Sequence, residues 1–206
     1  ILVVCVSDTH NLQVPDVPDG DILIHSGDLT ERGTIEELKA ALSWLDSLPQ
    51  QHKFFIAGNH DTCLSELDYP SIQAEFPTLT YLQDTFATCT IRGSKVGLIG
   101  SPWTPKCGIG GFQYPRSAKL SDSPIGWIQQ KADPVSFDEE KVDKFVLVTH
   151  GPPRGHLDDT TFGLSSAGCE TWLQLLWSLS RKPDFHVFGH IHGSHGIKRI
   201  KWDLFQ

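Results

Sequence analysis

Five short motifs carry most of the reactive side chains of this sequence: Asp8-Thr9-His10, Gly27-Asp28, Gly58-Asn59-His60-Asp61, Thr149-His150-Gly151 and Gly189-His190-Ile191-His192. Together they offer two carboxylates (Asp8, Asp28), four imidazoles (His10, His150, His190, His192) and the amide oxygen of Asn59, with His60 left over. That number and hardness of donors suits two divalent ions sharing one carboxylate, and such a centre suits hydrolysis of phosphate esters. Asn59 adds an oxygen without adding negative charge to a site that must attract an anion. Asp8 and His10 are two apart, so in an extended segment both face one side and can reach one ion; His190 and His192 repeat the spacing.

Taken singly, each motif is weak. An Asp after a strand is ordinarily a turn residue, and an isolated His pair says little. His25, His52, His186 and His195 read as ordinary histidines. The joint pattern decides otherwise, because each motif follows an apolar run.

Those runs are the elements that must position the motifs. Ile1–Val6 is continuous and β-branched, as expected for a strand buried on both faces, and Ile22–His25 is a second. Thr34–Leu48 has helical spacing, opens with a Thr34/Glu37 capping box and closes at Pro49. Phe54–Ala57 is a third strand. Leu79–Leu82, Phe86–Ile91 and Lys95–Ile99 read as short strands with a switch to antiparallel pairing. Ser101 to Pro134 is long, irregular and rich in Pro, Gly and aromatic residues, which marks a functional or irregular loop. Phe145–Thr149 is a strand, Ser166–Ser180 an amphipathic helix, Phe185–Phe188 a strand, and Gly196–Trp202 a candidate last edge strand. Ligands at C-terminal strand ends are where open α/β sheets place their sites.

The 206 residues fit one domain, 1–206. A net charge of −8 argues against a general nucleic-acid binder. The five cysteines are odd in number and form no CxxC pair, so we expect a reducing, cytoplasmic setting. The initial apolar run is too short for a membrane span or a signal segment. With no initiator Met and an opening inside a strand, we expect a trimmed N-terminus. The sequence leaves the oligomeric state open.

The ordered set D-x-H, G-D, G-N-H-D, T-H-G, G-H-x-H resembles the calcineurin-like metallophosphoesterases, from Asp8 to His192. Gly100-Ser101-Pro102-Trp103, His150-Gly151-Pro152-Pro153 with His156-Leu157-Asp158, and Val187-Phe188-Gly189-His190 are similar to the small metallophosphoesterase-domain subgroup, related to brain-expressed phosphodiesterases. The resemblance implies an α/β fold, a four-layer α-β-β-α sandwich with mixed sheets. It implies one ion on Asp8, His10, Asp28 and His192 and a second on Asp28, Asn59, His150 and His190. It makes His60 the general acid and Asp61 the residue that orients it. Mn²⁺ is the expected ion, with Fe or Zn as alternatives; four His disfavour Mg²⁺. Gly27-Asp28-Leu29-Thr30-Glu31-Arg32-Gly33 also resembles the loop in which protein Ser/Thr phosphatases bind phosphate by an Arg, so Arg32 is a candidate substrate ligand, as is His156. Trp103 and Tyr114, on the irregular loop, could stack on a base. The expectation is a phosphodiesterase acting on a small nucleotide-type ester such as a cyclic nucleotide. Alternatives are a weakly active metal-binding or scaffold protein, a nuclease or a phosphomonoesterase.

Overall fold

The computed structural model describes residues 1–67, 69–131, 141–160 and 166–202. The strands are β1 (Val3–Val6), β2 (Ile22–His25), β3 (His52–Phe55), β4 (Leu79–Tyr81), β5 (Thr85–Ile91), β6 (Ser94–Ser101), β7 (Thr104–Pro105), β8 (Gln113–Tyr114), β9 (Lys144–Thr149) and β10 (Phe185–Val187). The helices are α1 (Ile35–Ser47), α2 (Tyr69–Glu75), α3 (Trp127–Lys131) and α4 (Glu170–Ser178).

Two four-stranded sheets carry the architecture. One runs β1-β2-β3-β4, all parallel. The other runs β10-β9-β6-β5, with only the β5/β6 pair antiparallel. The period-2 alternation of strand side chains sorts residues into three cores. Ile22, Ile24, Phe54 and Ile56 meet Leu98, Val146 and Val148 between the sheets. Leu23 and Phe55 point the other way, under Leu38, Leu42 and Leu45 of α1. Ile99, Phe145 and Leu147 point away from the first sheet, under Trp172, Leu175 and Leu176 of α4. Three cores separate four layers, α-β-β-α, as the resemblance implied.

Helix α1 starts where its capping box places it. Thr34 Oγ1 accepts from the Glu37 amide at 3.2 Å, and Glu37 reaches back to the Thr34 amide. Leu48 is extended because Pro49 disfavours a helical residue before it.

Three strand readings and one helix reading need correction. β1 is an edge strand with Cys5 exposed, so an unbroken apolar run did not mean burial on both faces. β4 is parallel to β3; α2 supplies the crossover, and antiparallel pairing begins only at β5/β6. The helix expected over Ser166–Ser180 begins at Glu170, capped by Cys169. No strand forms over Gly196–Trp202 among the described residues. That segment is held instead by Lys198 Nζ on the Gly155 carbonyl and by Trp202 edge-on to Trp177. Part of the irregular loop, residues 132–134, lies outside the described residues. All five cysteines are free. No helix among the described residues is long and apolar enough to cross a membrane.

His25, at the end of β2, is fully buried. Its Nδ1 accepts from the Gly27 amide at 3.3 Å, so its Nε2–H faces Thr9 Oγ1 at 3.0 Å. Burial pulls this imidazole down to about 4, and burial pulls His186 down to about 3. In the unfolded chain both titrate near 6.5. Between about 6.5 and 4 the unfolded chain therefore binds protons that the fold refuses, so stability is present above 6.5 and lost as pH falls. His25 alone should contribute a slope of up to about 1.4 kcal/mol per pH unit in that window. Denaturant melts of the metal-free protein at pH 7 and pH 5 measure it; equal unfolding free energies would contradict the buried neutral state.

Candidate metal centre

The loops leaving the C-terminal ends of β1, β2, β3, β9 and β10 converge on one place, because within each sheet these strands run parallel. The first sheet delivers Asp8, His10, Asp28, Asn59 and His60. The second delivers His150, His190 and His192. Across the sheets, His150 Nε2 lies 3.2 Å from Asp28 Oδ2.

The backbone is bent sharply there. Asp8 (φ 52°), His10 (φ 43°), Asn11 (φ 69°), Asp28 (φ 55°) and His190 (φ 72°) all occupy the left-handed region. Such residues cost of order 1–3 kcal/mol each and cluster at functional sites. Hydrogen bonds hold them: the amides of Asp8, His10 and Asn11 donate to the carbonyls of Gly27, Asp28 and Leu29 at 2.9, 3.1 and 2.9 Å. The glycines of two motifs are spacers. A Cβ on Gly58 would lie 2.2 Å from Asp28 Oδ1, and one on Gly189 would lie 2.2 Å from Asp8 Oδ2.

Two ligand clusters result. In one, Asp8, His10 and His192 each bring a donor atom within 4.8 Å of the others; His192 Nε2 is 3.5 Å from Asp8 Oδ1. In the other, Asp28, His150 and His190 do the same. Asp28 joins them, since its Oδ2 is also 3.8 Å from His10 Nε2. Asn59 Oδ1 lies 3.1 Å from His150 Nε2. The structure thus brings together all seven residues that the motifs suggested.

Each ring is aimed. His150 Nδ1 donates to the Ser26 carbonyl at 2.9 Å, which turns Nε2 inward. Asp8 is fixed by the His190 amide, which donates to both its oxygens at 2.9 and 3.0 Å. Burial would favour a neutral His150, but the Asp28 carboxylate outweighs it and holds the imidazole up at about 9. Reciprocally, Asp28 is held well below the usual carboxylate range: burial opposes this, and the His150 charge prevails. His190 is pulled down to about 4 by its own burial and by the neighbouring His150 cation. A proton on His150 Nε2, facing Asp28 Oδ2 and Asn59 Oδ1, fills the place a cation would take. The donor set therefore fits divalent ions.

His60 is half-buried beside the clusters, its ring 4.7 Å from that of His10 and edge-on to it. Its Nδ1 donates to the Glu31 carbonyl at 2.8 Å. The orienting role expected of Asp61 takes a different form. The Asp61 carboxylate is fully buried and accepts from the amides of Leu29, Thr30 and Gly58 and from Thr30 Oγ1. It ties the β2 loop to the β3 loop, and His60 is positioned through the backbone. Burial and the Asp28 charge push the Asp61 carboxyl up.

Of two candidate substrate contacts, one is built into the core and the other is packed against it. Tyr114 is buried under α4 with its hydroxyl 2.9 Å from Cys169 Sγ. Trp103 packs against both helical cores, and its Nε1 donates to Asp84 at 2.7 Å. Arg32 is exposed at the rim, beside Glu31. His156 is half-buried on the loop that Asp158 fastens to the Gly155 and Gly168 amides. The sequence reading passed over Glu31, whose signal was its place in the Asp28 loop.

Comparison with known proteins gives the family and the fold. Residues 1–194 match the family described as calcineurin-like phosphoesterase. Among curated relatives, a probable rhamnogalacturonate lyase C of Emericella nidulans is 45% identical over 213 residues, covering 100% of this chain and 18% of that protein. Metallophosphoesterase domain-containing protein 1 of Homo sapiens is 36% identical over 219 residues, covering 94% of this chain and 61% of that protein. The chain thus spans less than two thirds of either. An NAD nucleotidase from Haemophilus influenzae shares the fold with a TM-score of 0.55 at 15% identity, covering 92% of this chain and 38% of that one. With the motifs, the four layers and the ligand clusters in agreement, the chain belongs to the calcineurin-like phosphoesterase family.

Proposed function

We propose that this chain is a dinuclear, metal-dependent phosphoesterase that acts on small phosphodiesters. The observation that carries the reading is the pair of ligand clusters joined by Asp28. Asp8, His10, Asp28 and His192 would hold one ion; Asp28, Asn59, His150 and His190 would hold the other. Two such ions supply Lewis acidity at the phosphoryl group and a nucleophile at neutral pH. Mixed imidazole and carboxylate donors favour Mn²⁺, with Fe or Zn able to substitute. His60 adds the proton transfer. With Nδ1–H fixed on the Glu31 carbonyl, Nε2 is the nitrogen that can carry a proton to the departing alkoxide.

A small ester is favoured over a polyanion by the net charge of −8. Tyr114 lies buried in the core and Trp103 is packed against it with its Nε1 on Asp84, so neither supports a preference for a base-bearing ester. The lyase name of one relative is not carried over, since the chain matches under a fifth of that protein.

The test is turnover of bis-(p-nitrophenyl) phosphate by metal-stripped protein titrated with Mn²⁺, Zn²⁺ or Mg²⁺. Expected are no turnover without metal, activity with Mn²⁺ exceeding that with Mg²⁺, and loss on chelation. Binding of two ions with no turnover of any mono- or diester would make the chain a metal-binding scaffold instead.

A further inference from the structure

Glu31 touches two of the imidazoles at once. Its carbonyl accepts from His60 Nδ1 at 2.8 Å, and its carboxylate Oε2 lies 3.2 Å from His10 Nδ1. His10, Glu31 and His60 form a third cluster of donor atoms within 4.8 Å of one another. The His10 contact is short but lies off the N–H axis, and His10 Nδ1 is sealed from solvent with no aligned partner among the described residues. His10 uses Nε2 toward Asp28, so Nδ1 must carry the proton when the ring binds a cation. A buried N–H without an acceptor is costly, and Glu31 is the acceptor within reach. A carboxylate behind a ligating imidazole fixes its tautomer and ring angle and raises its basicity.

We propose that Glu31 is a positioning residue that holds His10 by its carboxylate and His60 by its carbonyl, setting both rings from a single loop residue. This rests on the metal-centre reading above. The loop itself is anchored from α1. Glu37 accepts from the Arg32 amide and from Asn11 Nδ2, each at 2.9 Å, so one helix-capping carboxylate braces the residues next to Glu31 and next to His10. The Glu31 side chain is 57% exposed, so its part is ring orientation and not fold stability.

Glu31→Ala and Glu31→Gln, compared with wild type, test this by three readouts. Competition with a chromogenic chelator measures the affinity of each ion. Glu31→Ala should lose about 10–100-fold for one ion and leave the other unchanged, as for other partners behind a ligand. Glu31→Gln, which keeps an acceptor oxygen, should lose less. Long-range ¹H–¹⁵N spectra of metal-free protein at pH 8 should show His10 protonated at Nδ1 in wild type and as a tautomer mixture in Glu31→Ala. His60 should stay protonated at Nδ1 in both, because its partner is a backbone carbonyl. The unfolding midpoint of the metal-free protein should not move. Two ions bound with wild-type affinities in Glu31→Ala would overturn the proposal while sparing the metal centre, as would equal weakening of both ions. A wild type that binds no divalent ion would overturn both.

Discussion

Asp28→Asn is expected to lose both ions and nearly all turnover in one substitution. Asp28 is the only carboxylate whose oxygen lies near donors of both clusters, 3.2 Å from His150 Nε2 and 3.8 Å from His10 Nε2 among the described residues. Both contacts are made by Oδ2; an amide oxygen in that place has nearly the same shape but no charge, so it holds two cations far less well. The loss should exceed the roughly 10–100-fold that changes behind a ligand produce. It should also release His150: without the Asp28 charge, burial is opposed only by the Asp8 charge and the Ser26 carbonyl, and the pKa of the ring should fall from about 9. Metal content after dialysis, diester turnover and the His150 titration measure the three effects. One ion still tightly held with full activity would remove Asp28 from the bridging position.

His60→Ala should do the opposite to binding and nearly the same to turnover. The His60 backbone amide donates to Asp28 Oδ1 at 2.8 Å, and alanine keeps that bond, so both ions should stay. What is lost is the imidazole. General acid catalysis contributes about 10²–10⁴-fold where the leaving group needs a proton. Turnover of an alkyl diester or a nucleotide should fall by that order, while an activated nitrophenyl diester, whose phenolate departs unaided, should suffer far less. Equal losses on both substrates would argue that His60 binds the phosphoryl oxygens instead, and loss of an ion would make it a ligand.

The sequence by itself determined the candidate donors and most of the frame. Donor types, their order and their places after apolar runs are local properties, so Asp8, His10, Asp28, Asn59, His150, His190 and His192 could be named as a group before any fold was known. The Thr34–Glu37 cap is local too, and α1 begins where that box puts it. Pairing was not local. Nothing within Leu79–Tyr81 says that it lies parallel to β3, and nothing within Ile1–Val6 says that its sheet ends there, because both depend on which strand lies alongside. Only the tertiary structure decided where an aromatic ring finds its largest burial. It drew Tyr114 under α4 and fastened Trp103 to Asp84, a residue 19 positions earlier. It likewise decided what stands behind each candidate ligand. The Ser26 carbonyl behind His150 comes from the other sheet, 124 residues away in sequence, and the partners of His60 and Asp61 come from the β2 loop about 30 residues earlier. A ligand is legible because its chemistry is its own. The group that aims it is not, because a carbonyl or a carboxylate gains that role only from what the fold sets beside it.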